Sequence, residues 1–146
     1  MGYRNLQQCV RDLERRRMLV RVSEGIDADL EAAEVHRRVY AAGGPALLFE
    51  NVRNCRFPMA SNLFGTMERT RFIFRDALAG VQTLIRLKKD PTELLRHPLR
   101  APSVLRTLLS MRPAKRSTGP VLAHEASLDQ LPLLKSWPRD GGAFIT

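Results

Sequence analysis

Gly43-Gly44-Pro45-Ala46-Leu47-Leu48-Phe49-Glu50-Asn51-Val52 is the stretch from which the rest of the chain can be placed. Glycine tolerates the left-handed backbone of a helix exit and proline cannot extend a helix, so Gly43-Gly44-Pro45 stops whatever helix precedes it. The apolar run from Ala46 to Glu50 then fits a buried strand, with Leu47, Leu48 and Phe49 as its core residues.

Upstream, Asp27 is the expected N-cap of the helix that Gly43 ends. Asp29 and Glu31 suit its first turn, and Leu30, Ala33 and Tyr40 can serve its buried face. Met18 to Val22 reads as a strand. Asn5 caps an earlier helix with Leu6, Cys9, Val10 and Leu13 at helical spacing, and Arg15-Arg16-Arg17 closes it where cations suit the negative end of the dipole. Downstream, Asn51 to Arg56 is a turn, and Phe57 to Leu63 is a second strand with Pro58 at an edge or bulge. Thr66 caps a helix from Met67 to about Leu78. Gly80 interrupts it, and Val81 to Leu87 continues in helical spacing. Five prolines punctuate residues 91–120, which reads as short helices joined by bends, one carrying the apolar stripe Val104, Leu105, Leu108 and Leu109. Ser117-Thr118-Gly119-Pro120 is a linker, Val121 to Glu125 is strand-like, and Phe144-Ile145-Thr146 begins a strand. The βαβ alternation is incomplete, so the expected class is α+β.

The 146 residues suffice for one domain, with or without part of a second. No apolar run approaches the roughly 18 residues of a membrane span, and no apolar h-region follows Met1, so the expectation is a cytoplasmic protein. Cys9 and Cys55 form no CxxC pair and read as idle thiols in a reducing compartment. The net charge of +9 is concentrated: residues 86–116 hold 9 basic and 2 acidic side chains, against 13 and 10 in residues 1–85. That segment has no aromatic residue to stack on a base, and its arginines alternate with leucine and proline. A protein or solvent face is favoured over nucleic acid.

No phosphate-binding glycine loop, HExxH or nucleophile elbow is present. His36, His97 and His124 lack ligand spacing and read as structural or exposed, so no metal ligand is assigned. Glu31 and Glu34 sit one helical turn apart, and a solvated helix face explains them better than acid–base chemistry. Asn62-Leu63-Phe64-Gly65-Thr66 leads from strand to helix, where ordinary capping by Thr66 competes with an anion at the helix start.

These segments, taken together, resemble the UbiD-like decarboxylases. Tyr3-Arg4-Asn5-Leu6 with Leu13-Glu14 is similar to the family's opening helix, and DADLEAAE at 27–34 to its next one. GGPALLFENV at 43–52, with NLFGT at 62–66 and Arg69 behind it, is the most specific match. Pro132, Trp137-Pro138 and residues 142–146 resemble the opening of the family's central domain. Met18 departs from the usual Gly-Glu-Leu lead into the first strand, and Arg75 to Pro113 matches only loosely.

The resemblance implies a UbiD-like α/β domain over residues 1–116. It further implies a linker and the truncated start of a flavin-reductase-like split β-barrel, the central cofactor-binding domain, over 117–146. The implied reaction is reversible non-oxidative decarboxylation of an aromatic or α,β-unsaturated carboxylic acid, for example a 4-hydroxybenzoate derivative. The cofactor would be prenylated FMN with Mn2+ and K+, supplied by a separate flavin prenyltransferase, in a homo-oligomer. The family's catalytic Glu-Arg-Glu network and metal ligands fall beyond residue 146, so no catalytic residue is assigned. Thr146, where the family's first cofactor contact often falls, is the one candidate cofactor-binding residue. The 146-residue chain alone is therefore expected to be inactive. Two other readings remain: a freestanding non-catalytic subunit that docks on a separate decarboxylase chain, and a basic nucleic-acid-binding module. A chain ending inside an apolar strand at Phe144-Ile145-Thr146 favours the first reading over the subunit, and residues 121–146 are expected to be the least stable part.

Overall fold

Asn5 opens α1 (Leu6–Arg15): its Oδ1 accepts from the Gln8 backbone N–H at 2.8 Å, satisfying one of the donors a helix start leaves unpaired. In this computed structural model, which describes residues 2–92, 96–113, 115 and 117–141, α1 ends in a tight exit. The Met18 N–H reaches Leu13 O at 2.8 Å, the Arg17 N–H reaches Glu14 O at 2.9 Å, and Arg17 takes φ of 56°. α2 (Glu31–Ala41) ends the same way: Gly44 N–H to Val39 O at 2.8 Å, Gly43 N–H to Tyr40 O at 2.9 Å, and φ of 62° at Gly43. Both are Schellman exits, which absorb the last carbonyls of a helix and turn the chain sharply. Each delivers the chain directly into a strand, β1 (Leu19–Val22) and β2 (Ala46–Phe49).

β1 and β2 pair in parallel, Leu19 opposite Ala46 through Val22 opposite Phe49. The connection between them is α2, so β1-α2-β2 is a βαβ unit. β3 (Met59–Ser61) adds antiparallel to β2, giving the order β1-β2-β3. Alternation along the strands sends Val22, Leu47, Phe49 and Met59 to one face. There they pack with Ala32, Val35 and Val39 of α2 and with Ile26 and Val52. Leu19, Arg21, Leu48 and Ala60 take the other face, on the side of Leu6 and Val10 from α1. The architecture is mixed α and β, with helices on both faces of a small sheet.

Leu47 and Phe49 are buried as expected, but Leu48 is only half-buried, because it borders an open cavity between α1 and the sheet. Asp27 is not the cap of α2. Its Oδ1 accepts from Asp29 N–H at 2.9 Å in a local turn, and the helix begins only at Glu31, after Leu30 with φ of 67°. The delay has a tertiary cause. Leu30 N–H donates to Lys135 O at 2.9 Å and Lys135 N–H to Ala28 O at 3.2 Å, so residues 28–30 pair with a distant segment instead of winding into a helix.

Contacts divide the chain into two units. One holds Tyr3–Thr70 together with the described residues from His124 onward; the other is Arg71–Ala123 with Gly2. Leu134 packs on the α2-side core, and Lys135 bridges to Asp29. Val121 to Glu125 is not a strand. It begins as a 3-10 turn, Pro120–Ala123, and a second such turn is Leu128–Gln130. Phe144-Ile145-Thr146 lies outside the described residues.

The second unit contains α4 (Arg75–Lys89), a 3-10 turn (Pro98–Arg100) and α5 (Ala101–Ser110). α3 (Met67–Ile73) is separated from α4 at Phe74, and α4 runs straight through Gly80 rather than breaking there. Gly80 is the point where α4 meets α5: a Cβ on it would come within 2.9 Å of Thr107 Cγ2. Of the expected stripe on α5 only Val104 is buried, while Leu105, Leu108 and Leu109 are exposed.

Candidate functional site

The two motifs that anchor the sequence reading meet at Arg69. Asn62, at φ of 57°, turns the chain out of β3 and donates from Nδ2 to Pro45 O at 2.8 Å and Gly44 O at 3.3 Å. Thr66 Oγ1 accepts from Arg69 N–H at 3.2 Å, the capping expected of it. The Arg69 guanidinium then donates to three carbonyls: Leu63 O at 3.0 Å, Gly44 O at 3.1 Å and Asn62 O at 2.7 Å. It is 4% exposed, and among the described residues no carboxylate lies within ion-pair distance. Burial pushes its pKa down from the ordinary guanidinium value, yet an arginine stays charged. The charge is held by the carbonyl dipoles of the two loops. Arg69 therefore ties the strand–helix turn to the α2 exit.

A second convergence lies on the α2 side of the sheet edge. Ala32, Ala33, His36 and Arg37 share one face of α2, β3 contributes Met59 to Ser61, and Leu134 to Asp140 close the far side around a cavity of about 460 Å³. His36 Nδ1 and Ser61 Oγ are hydrogen-bonded at 2.7 Å, and the imidazole stacks on Tyr40 with centroids 6.2 Å apart. Arg37 is turned to Glu34, with Nε and Nη2 each donating at 2.8 Å. Asp140 Oδ2 accepts from Ser136 N–H at 3.0 Å, and Asp140 N–H donates to Trp137 O at 2.9 Å, which sets the loop bearing the indole.

Glu34, weighed in the sequence as half of a carboxylate pair, is instead clamped by arginines. Arg37 and then Arg38 hold its carboxyl down to a pKa of about 2. Glu31 accepts from the Asp27 N–H at 2.8 Å. Glu34 is not poised for proton transfer. His36 is the histidine that finds a polar partner in a cavity; no sequence signal links it to Ser61, 25 residues away. Among the described residues no three His, Cys, Asp or Glu side chains gather where they would hold a metal ion, and no helix is long and apolar enough to cross a membrane. Thr146, the candidate cofactor contact, lies outside the described residues.

A protein of Chlamydia pneumoniae, named as a subunit of 4-hydroxybenzoate decarboxylase, is 37% identical over 133 residues, covering 89% of this chain and 23% of that protein. An uncharacterized protein of Chlamydia caviae is 40% identical over 152 residues, covering 100% of this chain and 26% of its own length. The chain thus spans about a quarter of these relatives. Among solved structures, an evolved dimeric form of the UbiD-class enzyme HmfF from Pelotomaculum thermopropionicum, in complex with prFMN, superposes with a TM-score of 0.46 at 24% identity, over 55% of this chain and 20% of that one. The model of the 3-octaprenyl-4-hydroxybenzoate carboxy-lyase N-terminal domain matches residues 10–88, a span that contains both Schellman exits, the sheet and Arg69. The chain belongs to the UbiD family of carboxy-lyases, as its N-terminal domain.

Proposed function

We propose that this chain is the N-terminal portion of a carboxy-lyase that carries out reversible, non-oxidative decarboxylation of an aromatic or α,β-unsaturated carboxylic acid, such as a 4-hydroxybenzoate derivative. The observation that carries the reading is the family match over residues 10–88, supported by the Chlamydia pneumoniae relative whose name is that of a 4-hydroxybenzoate decarboxylase. The family resemblance supplies the rest of the proposal: prenylated FMN with Mn2+ and K+, a flavin prenyltransferase as cofactor source, a homo-oligomer, and a cytoplasmic setting. It also suggests that residues 117–146 lead into a flavin-reductase-like barrel, with Thr146 near the cofactor.

No residue of the described chain is assigned to the cofactor or its metal. The described residues bring together no set of metal ligands, and their buried cation, Arg69, is committed to backbone carbonyls. No chemical step is therefore assigned to them; their contribution is a folded scaffold. The basic helical segment is proposed to face protein or solvent rather than nucleic acid.

The test compares two proteins in the presence of prenylated FMN, Mn2+, K+ and a panel of aromatic and acrylic acids: the 146-residue chain, and the same chain extended by the coding sequence downstream of Thr146. Carbon dioxide release is expected from the extended protein only. Release from the short chain would overturn the scaffold role, and silence from both would overturn the decarboxylase reading. The second reading, a non-catalytic subunit, draws on the word subunit in the Chlamydia pneumoniae relative's name. It is favoured if the short chain co-elutes with, and activates, a separate decarboxylase chain.

A further inference from the structure

We infer that the cavity between α2, β3 and the Trp137 loop is a binding site for a small planar aromatic molecule carrying one hydrogen-bonding oxygen. Its volume, about 460 Å³, falls within the range of small-molecule sites. The floor is apolar: Ala32 and Met59 are buried, and Leu134 is half-buried in the same core cluster. Alanines at 32 and 33 leave the space that larger side chains would fill. One wall is the indole of Trp137, 59% exposed although it borders apolar surface. An exposed indole costs hydration free energy, and its flat face suits an offset-stacked ring. The loop that carries it is not slack, since Lys135 is pinned through both backbone groups and Asp140 closes the turn.

The polar complement is sparse, which narrows the ligand. Arg37 is neutralised by Glu34, and Asp140 engages a backbone N–H. What remains is the exposed Ser136 and the orientationally fixed His36. Its Nδ1 is taken by Ser61, and among the described residues Nε2 has no hydrogen-bond partner. The Ser61 contact and the Tyr40 stack fix the ring's orientation, so Nε2 offers one placed hydrogen-bonding position at the edge of an apolar slot. One ring and one oxygen satisfy the site; a highly charged or extended ligand does not.

Phenol, benzoate and cyclohexanol are the probes, titrated into the 146-residue chain without cofactor. Trp137 is the chain's only tryptophan, so its emission reports on this cavity alone. The Met59 methyl resonance gives a second readout through ring-current shifts. Ligands of this size bind at about millimolar strength. A saturable change by phenol or benzoate is expected, at least about tenfold tighter than by cyclohexanol, and the stronger of the two aromatic probes identifies the oxygen function. His36→Ala should weaken binding about tenfold, and Ala33→Phe, which fills the slot from its rim, should abolish it with the far-UV spectrum unchanged. No saturable response from either aromatic probe overturns the inference, as does undiminished binding by both variants. Because the readout is binding to the short chain, its failure is separable from failure of the decarboxylase reading.

Discussion

Arg17 and Gly43 occupy the same place at the exits of α1 and α2, with φ of 56° and 62°, but only one is the residue that tolerates that backbone freely. A side chain in the left-handed region costs about 1–2 kcal/mol, partly offset because glycine loses more freedom on folding. Arg17→Gly is therefore expected to stabilise the protein by about 0.5–1 kcal/mol, and Gly43→Ala to destabilise it by about 1 kcal/mol or more, in chemical denaturation. Glu34 provides a second residue-scale test. Its folded pKa, about 2, lies below that of an unfolded glutamate, so its stabilisation is present above the ordinary carboxylate range and is lost as the pH falls toward 2. An NMR titration should place the Glu34 midpoint near 2, and Glu34→Gln should remove that part of the acid sensitivity. A midpoint at the ordinary glutamate value would show that Arg37 and Arg38 do not hold it in solution.

For the elements, the informative comparison runs along β2. Leu47 and Leu48 are identical side chains on adjacent positions, yet Leu47 is buried beneath α2 while Leu48 borders the partly open α1 face. Leu47→Ala should cost about 2–5 kcal/mol, as large-to-small changes in a packed core do, and Leu48→Ala distinctly less, about 1–2 kcal/mol. Equal losses from the two would mean that α1 seals its side of the sheet as fully as α2 does. From sequence alone the two leucines are indistinguishable, because a continuous apolar run does not say which face is covered better.

Within the whole molecule, the two units differ in how much they bury. Among the described residues of Arg71–Ala123 only Val104 is buried, whereas the other unit holds the remaining core. Local stability follows buried contacts, so amides of α4 and α5 are expected to exchange with solvent much faster than those of β2. Leu30 and Lys135 should exchange slowly for their position, because their N–H groups close the bridge between residues 28–30 and 135. Rapid exchange at both would contradict that bridge. Slow exchange there would set the segment around Lys135 apart from the rest of residues 121–146, which are expected to exchange fastest.

The helix starts at Asn5 and Thr66, both helix exits and the places of β1, β2 and β3 were legible in the sequence, whereas the strand expected at Val121–Glu125 was not there. Each depends on groups a few residues apart, where side-chain type and spacing decide the outcome directly. The family was legible for the same reason: GGPALLFENV and NLFGT encode turns and a strand whose chemistry is local. What only the tertiary structure decided involves partners far apart along the chain. Arg69 meets Gly44 O and His36 meets Ser61 across 25 residues each, and Asp29 bridges to Lys135 across most of the molecule. That last pairing is why Asp27 fails to cap α2, although its local signal is sound. Packing sets such meetings after the local elements exist, and no periodicity in the sequence records them.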